Sequence, residues 1–209
     1  MNILHIDSSP QGEFSVSRQL TRKVVEQLSG SEVAYLDLAE APIEHLQPKH
    51  LAAFFSNPAD RSLTNQELLE ESDELVEQLL WADTIVIGVS MINFAIPSTL
   101  KAWLDQIVRA GRTFRYGESG PEGLVQGKKV VLAISTGGVY TEGPSKQFDF
   151  TEPYLRTVLG FLGMTDISTV RAEGVKLEGN RERAIEAALN SIPMAVDQSG
   201  SPGSRVGIA

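Results

Sequence analysis

The segment Asp83 to Val89 is an almost unbroken apolar run of strand length, and it restricts the fold more than any other part of the chain. A strand with apolar residues at successive positions requires cover on both of its faces, which is typical of a central strand in a parallel sheet. Lys129 to Ser135 is predicted to be a further strand. We therefore expect helices to pack against both faces of a parallel sheet.

Strand and helix patterns alternate along the chain. Three more strands are predicted at Asn2 to Asp7, Glu32 to Leu38 and Thr165 to Ala172. The helix behind the central strand has apolar residues at helical spacing on one face, namely Leu100, Trp103, Leu104, Ile107 and Val108. Five strands that alternate with helices predict an α/β fold with a doubly wound parallel sheet.

Local signals predict where several helices begin. Thr64 to Glu67 has the pattern of a capping box at the start of a long helix. Thr151 is expected to cap a later helix, and Asn180 to open a last helix that ends near Ile192.

Two long irregular connections interrupt the alternation. Residues 39–63 are rich in proline, with a short helix expected near Lys49 to Phe55, and residues 111–127 are expected to carry a hairpin arm at Phe114 to Tyr116. Long connections are uncommon in compact domains and tend to be functional. We therefore expect both connections to cover a functional site.

The composition fits an ordinary globular protein of 209 residues, which we expect to form one domain over residues 1–195 and a flexible tail over residues 196–209. The absence of cysteine excludes disulfides, thiolate nucleophiles, iron–sulfur clusters and cysteine zinc sites. A net charge of −9 argues against nucleic-acid binding. No apolar run reaches the roughly 18 residues of a membrane span, so a cytoplasmic protein without membrane partners is expected.

The loop after the first predicted strand is rich in hydroxyl groups and opens a helix. Ser9, Ser15 and Ser17 lie in this loop. The first N–H groups of a helix lack partners within the helix, and the helix dipole favours negative charge there, so the loop is a candidate phosphate site. The alternative is that these serines only cap the helix and form the turn.

The loops after the third and fourth predicted strands offer different chemistry. The second loop presents the apolar side chains of Met91, Ile92 and Phe94 with the amide of Asn93, and the third presents backbone at Gly137 and Gly138 beside Tyr140. Ligands of such sheets bind at the carboxyl ends of the strands, where these loops meet if the strand order is 2-1-3-4-5. A planar, hydrogen-bonding ring with a phosphate tail fits all three loops, which describes flavin mononucleotide (FMN).

Other nucleotide and hydrolase motifs are incomplete. The first turn lacks the G-x-G-x-x-G fingerprint of a dinucleotide site, and the glycine spacing from Gly138 to Gly143 is followed by Pro144 rather than the lysine of a phosphate-binding loop. Gly88 to Ile92 lacks the second glycine of the G-x-S-x-G hydrolase turn.

Five motifs occur in one order along the chain: Ser8-Ser9 with Ser15-Val16-Ser17, Met91-Ile92-Asn93-Phe94, Arg109 to Tyr116, Gly120 to Leu124, and Ser135-Thr136-Gly137-Gly138. Together they resemble the FMN-dependent NADH azoreductases, which are flavodoxin-like homodimers also described as NAD(P)H:quinone oxidoreductases. The resemblance covers about residues 2 to 192.

The resemblance implies a flavodoxin-like sheet of order 2-1-3-4-5, a homodimer and one FMN per subunit. NADH or NADPH would supply a hydride in a ping-pong mechanism, and quinones or aromatic azo compounds would accept two electrons. Because this chemistry takes place on FMN, no catalytic side chain is expected. The implied FMN contacts are Ser9, Ser15, Val16 and Ser17 near the phosphate, Met91, Ile92, Asn93 and Phe94 at the ring, and Ser135, Thr136, Gly137 and Gly138 at the pyrimidine edge.

The sequence departs from the family pattern at Ile92, Ala95, Thr136 and Tyr140, which bears on substrate range and on the choice between NADH and NADPH. Substrate-side candidates are Tyr116, Tyr140 and Phe161, with packing as the alternative for Tyr116 and Phe161.

The remaining conspicuous side chains are expected to have structural roles. Trp103 is expected in the core or a dimer interface, and His5 is expected to be a packed side chain. His45 and His50 have no metal-ligand spacing.

Two other functions stay open at this stage. A flavodoxin-like electron carrier would bind FMN without turning over a small substrate, and the long connections favour the enzyme over a carrier because a carrier needs an exposed ring edge. A relative that has kept the fold and lost the flavin is the other alternative.

Overall fold

Five parallel strands form the sheet at the centre of this structure, a computed structural model that describes residues 1–28, 31–56 and 61–197. The strands are β1 (Asn2–Asp7), β2 (Glu32–Asp37), β3 (Thr84–Ser90), β6 (Lys129–Ser135) and β7 (Asp166–Ala172), in the order β2-β1-β3-β6-β7. Counted along the sheet strands alone, this is the predicted order 2-1-3-4-5, which is confirmed. The remaining strands, β4 (Phe114–Gly117) and β5 (Gly120–Gly123), pair antiparallel as the predicted hairpin.

Apolar side chains of the strands and helices form two hydrophobic clusters. The described helices are α1 (Val16–Gln27), α2 (Pro48–Phe54), α3 (Leu63–Trp81), α4 (Ser98–Ile107), α5 (Glu152–Phe161) and α6 (Arg181–Asp197). Leu4 and Ile6 of β1 join a cluster with apolar residues of α3, α4 and α5, whereas Ile3 joins a second cluster with residues of α1 and α6. Because successive side chains of a strand point to opposite faces, the clusters lie on opposite faces of the sheet.

The central position of β3 agrees with its sequence. Each of its residues is buried, and it pairs with β1 on one side and β6 on the other, so that Ile85 lies between Leu4 and Val130. None of the helices in the described part of the chain has the length and apolar character needed to cross a bilayer.

Two helix starts differ from the sequence predictions. The helix expected to begin with a capping box at Thr64 begins at Leu63 instead, because Ser62 has an extended backbone and its hydroxyl accepts a hydrogen bond from the N–H of Asn65. Thr151 precedes α5, but its hydroxyl caps nothing. The carboxylate of Asp149 accepts from the N–H groups of Thr151 and Glu152 in its place.

The last helix begins directly after Asn180 as predicted but continues to Asp197, beyond the expected end near Ile192 and the expected domain boundary at residue 195. Residues 198–209 of the predicted tail lie outside the described residues.

The first long connection is fixed to the helices rather than to the sheet edge. Its predicted short helix is α2, which packs against α3. The guanidinium of Arg109 lies 4.3 Å from the ring centre of Phe54 at the end of α2 and 3.1 Å from the carboxylate of Asp73 in α3. The side chain of Gln106 donates to the carbonyl of Glu44, so α4 also holds this connection.

The hairpin of β4 and β5 packs closely against the end of α5. A Cβ atom added to Gly123 would lie 2.2 Å from the nitrogen of Gly163 and 2.3 Å from the carbonyl carbon of Leu162, both of them backbone atoms. Glycine at this position is therefore required by close approach and not by a positive φ angle.

We expect Gly123→Ala to lower the free energy of unfolding by about 2 kcal/mol, because the added methyl group forces the hairpin and α5 apart. The matched control is Gly160→Ala in α5, where an added Cβ has no neighbour within 4 Å. Alanine favours the helix there, so this variant is expected to be as stable as the parent or about 0.5 kcal/mol more stable. Urea denaturation of the three proteins provides the comparison. Equal stability of the two variants would contradict the close packing of Gly123.

Candidate functional site

The loops after β1, β3 and β6 meet at the carboxyl edge of the sheet because these strands are neighbours. The order reverses between β1 and β3, which is where ligands bind in open α/β sheets. A cavity of about 480 Å³ lies here, within the usual range of about 300 to 1,000 Å³ for small-molecule sites. Its walls come from Pro10 and Gln11, from Ser90 to Phe94, from Ser135 to Gly138, and from Tyr140, Val175 and Lys176.

The second loop has an unusual backbone conformation. Asn93 and Phe94 have φ angles of 49° and 71°, although neither is glycine. Ile92 and Ala95 exchange two backbone hydrogen bonds, at 2.9 Å and 3.1 Å, and so close a tight turn around this pair. Such strained residues cost on the order of 1 kcal/mol each and cluster at functional sites. The N–H groups of Asn93 and Phe94 make no hydrogen bond within the described residues.

Phe94 is fixed from both sides despite its position on the surface. Its ring centre lies 6.3 Å from that of Tyr140 and 5.7 Å from that of Phe148, and its carbonyl accepts a hydrogen bond from the N–H of Phe150. The aromatic group is therefore held at the mouth of the cavity.

The third loop keeps its carbonyl groups occupied and leaves two N–H groups free. The carbonyls of Thr136, Gly137 and Gly138 accept from the N–H groups of Val175, Lys176 and Gly174, respectively. In the described part of the chain, the N–H groups of Gly137 and Gly138 have no acceptor. The third loop therefore presents these two N–H groups to the cavity as free hydrogen-bond donors.

A carboxylate fixes the end of the third loop. Glu173 accepts hydrogen bonds from the N–H groups of Tyr140 at 2.8 Å and Thr141 at 3.1 Å. Arg171 lies 3.4 Å from Glu173 and binds two further carboxylates at 2.9 Å and 2.8 Å, those of Asp149 and Glu152. This network was not predicted, because no local sequence pattern links β7 to residues 140 and 141.

The first loop pairs two of the three predicted serines, Ser15 and Ser17. The hydroxyls of Ser15 and Ser17 lie 3.1 Å apart, and Ser15 caps α1 by accepting from the N–H of Arg18. The hydroxyl of Ser9 accepts from the N–H of Gln11 at 3.4 Å. All three serines are fully buried, so they do not line the cavity, which reaches this loop through Pro10 and Gln11.

The start of α1 also holds unpaired backbone donors. The N–H groups of Val16 and Ser17 make no hydrogen bond to a described residue, and both residues are buried. Buried N–H groups are nearly always paired, and here they lie at the positive end of a helix dipole. Free N–H groups at a helix start are suited to an anion.

Several charged groups lie close to the first loop. The guanidinium of Arg18 pairs with Asp37, and its hydrogen bonds lower the pKa of that carboxyl below the usual value. His5 packs against Tyr35 with ring centres 4.8 Å apart, and its Nε2 atom lies 3.4 Å from the carboxylate of Asp7. His5 is therefore a packed side chain, as predicted. Among the described residues, no group of three or more potential ligands could hold a metal ion.

Of the three substrate-side candidates, only Tyr140 lines the cavity in the described structure. Tyr116 is exposed on the hairpin, and Phe161 packs against Phe114 with ring centres 4.8 Å apart. Trp103 is fully buried in the core.

The two long connections also lie away from the cavity, since none of their described residues is in its wall. Ala39 of the first connection does line a larger neighbouring cavity, so the expected role of the connections as a cover stays a prediction. The sequence pattern predicted how long the connections are, but not which elements they pack against.

A larger, mostly apolar cavity of about 900 Å³ adjoins the first and shares Pro10, Ile92 and Asn93 with it. Ala95 lies in the wall of this second cavity, together with side chains from the first turns of α4 and α5. Ser90 was not a predicted site residue, yet its buried hydroxyl has no hydrogen-bond partner in the described part of the chain and it lies in the wall of the smaller cavity.

Known proteins share this sequence and this fold. The model of a family described as having a flavodoxin-like fold matches residues 1–193. A protein of Azospirillum brasilense named FMN-dependent NADH:quinone oxidoreductase is 48% identical over 199 residues, which cover 92% of this chain and 96% of the relative. A protein of the same name from Sinorhizobium fredii is 45% identical over 200 residues, which cover 92% of this chain and 95% of the relative.

The crystal structure of an azoreductase from Bacillus anthracis superimposes with a TM-score of 0.87 at 28% identity, covering 95% of this chain and 99% of that chain. The family match, the level of identity and the shared fold agree with the resemblance inferred from the five motifs. The chain therefore belongs to the flavodoxin-like family that includes the FMN-dependent NADH:quinone oxidoreductases and azoreductases.

Proposed function

We propose that this protein is an FMN-dependent oxidoreductase that uses NADH to reduce quinones and to cleave aromatic azo compounds in two-electron steps. The observation that carries the proposal is the set of unpaired N–H groups on the second and third loops, those of Asn93, Phe94, Gly137 and Gly138. They surround one cavity at the switch point of the sheet. The names of the relatives supply the reaction class.

The residues present fit FMN in chemistry. The second loop offers apolar contact from Met91 and Ile92 and an amide from Asn93, which suits a planar ring with polar edges. The third loop offers N–H groups to the pyrimidine edge, and the start of α1 offers N–H and hydroxyl donors to the phosphate. Because the three serines are fully buried, the loop around them has to rearrange when the phosphate enters.

When bound, FMN would supply two-electron chemistry in a ping-pong cycle, with NADH as the hydride donor and a quinone or azo compound, together with protons from water, as the acceptor. The protein holds the ring in place, and its N–H groups near Phe94 and Gly137 stabilise negative charge that grows on the ring. The side chains of Phe94 and Tyr140 lie beside each other in the cavity wall. No side chain is required to transfer a proton in this scheme.

Assembly, donor choice and location belong to the same proposal. A homodimer with one FMN per subunit stays a prediction. NADPH as an alternative donor and a cytoplasmic location stay predictions. The electron carrier remains the competing function, because the long connections leave the cavity open within one protomer.

The first test is the visible spectrum of the purified protein after incubation with FMN. We expect a flavin spectrum, loss of its visible absorbance when NADH is added without oxygen, and its return when a benzoquinone or an azo dye follows. An electron carrier would keep its absorbance with NADH alone. A protein that takes up no FMN would overturn the proposal altogether.

The second test concerns the phosphate position. Ser17→Asp places a carboxylate at the start of α1, so we expect FMN to bind at least about 100-fold more weakly through charge repulsion. Ser17→Ala removes only a donor and is expected to weaken FMN by about tenfold. Ser62→Asp is the control, because Ser62 caps the distant α3 and aspartate caps equally well. Fluorescence titration measures the affinities, and unchanged binding by Ser17→Asp would place the phosphate elsewhere.

The third test concerns the anchor of the third loop. Glu173→Gln weakens the hydrogen bonds that hold Tyr140 and Thr141, so we expect FMN to bind about fivefold more weakly. The matched control is Glu178→Gln, an exposed residue of the following turn. If both variants bind FMN like the parent protein, Glu173 does not organise this part of the site.

A further inference from the structure

Arg18 occupies a position that is unfavourable for a cation. It lies in the first turn of α1, where the helix dipole is positive, and only 4% of the residue is exposed. A buried charge is costly unless it is paired and hydrogen-bonded. No sequence pattern indicates a role for this residue.

Neighbouring groups compensate the buried charge. Both terminal nitrogens of the guanidinium donate to the carboxylate of Asp37, the Nη2 atom at 2.7 Å. The carboxylate of Asp7 lies 3.8 Å away, and the hydroxyl of Tyr35 accepts at 3.2 Å. The hydrogen bonds to Asp37 hold the pKa of Arg18 above its usual value, so the side chain stays charged.

The remaining hydrogen bonds of Arg18 go to the first loop. The Nε and Nη2 atoms donate to the carbonyl of Ser9 at 3.4 Å and 3.0 Å. The backbone N–H of Arg18 donates to the hydroxyl of Ser15 at 3.4 Å. One residue thus holds both ends of the loop that carries the candidate phosphate donors.

We infer that Arg18 is a positioning residue for the phosphate end of the site, an inference that rests on the proposed binding of FMN. Its side chain fixes Ser9 at the strand end of the loop whose other end carries the free N–H groups of Val16 and Ser17. The bond to Ser15 comes from the backbone N–H of Arg18, which the substitutions below leave in place. The bidentate pairing with Asp37 fixes the guanidinium in turn. A lysine has no planar fork and cannot bind Asp37 and Ser9 in the same way.

The decisive comparison is between FMN and riboflavin, which share the ring and differ in the phosphate. We expect Arg18→Met to reduce FMN affinity by about tenfold or more and to change riboflavin affinity by less than about threefold. Arg18→Lys is expected to give an intermediate loss for FMN of about threefold to tenfold. Isothermal titration or flavin fluorescence gives both constants.

Lys23→Met is the matched control. Lys23 lies on the same helix, α1, is exposed, and pairs with Glu26 of that helix at 2.6 Å. Its loss is expected to leave the ratio of FMN to riboflavin affinity unchanged. Thermal unfolding of all variants identifies any that no longer fold, and Arg18→Lys, which keeps the charge, then serves as the test.

Arg18 would be only a structural residue if folded Arg18→Met and Arg18→Lys proteins kept the parent ratio of FMN to riboflavin affinity. Equal losses for FMN and riboflavin would also overturn the inference, because they indicate a general disturbance of the site. Failure of the proposed function is distinguishable, since the parent protein itself would then bind neither flavin.

Discussion

The parallel pairing of β3 with β1 on one side and β6 on the other is the constraint on which the site depends. β3 is buried along its whole length, so both faces need helices and both edges need partner strands. Parallel pairing then places the carboxyl ends of all three strands at one edge. The loops that follow these strands are far apart in the chain, yet they must lie next to one another at this edge.

The same pairing connects the loops to one another. The N–H of Met91 donates to the carbonyl of Ser135, which continues the ladder of β3 and β6 into the cavity wall. The first loop is fixed differently, through Arg18 and the side chains of β2. The part of the site proposed for the ring is therefore an extension of the sheet, whereas the part proposed for the phosphate depends on a buried ion pair.

The sheet and the loops of the site were predictable from the sequence because apolar runs and helical spacing report burial directly. The φ angles of Asn93 and Phe94 were not, since positive φ is rare outside glycine and the strain is compensated by contacts with Phe148 and Tyr140. The hydrogen bonds of Glu173 and the contact between Arg18 and Ser9 join segments that share no sequence pattern, so they could not be predicted either. The packing of α2, in the first long connection, against α3 depends in the same way on tertiary contacts such as that of Arg109 with Phe54.

The positions at which the sequence departs from the family pattern can be related to the walls of the two cavities. The donors proposed for the flavin ring are backbone N–H groups, which any residue except proline supplies, so Ile92 and Thr136 leave them intact. The side chains of Ile92 and Tyr140 form part of the cavity wall, and Ala95 forms part of the larger cavity beside it. Changes at these positions therefore act on the molecules that share the cavity with the cofactor. Binding of the cofactor and choice of substrate can thus vary separately within one fold.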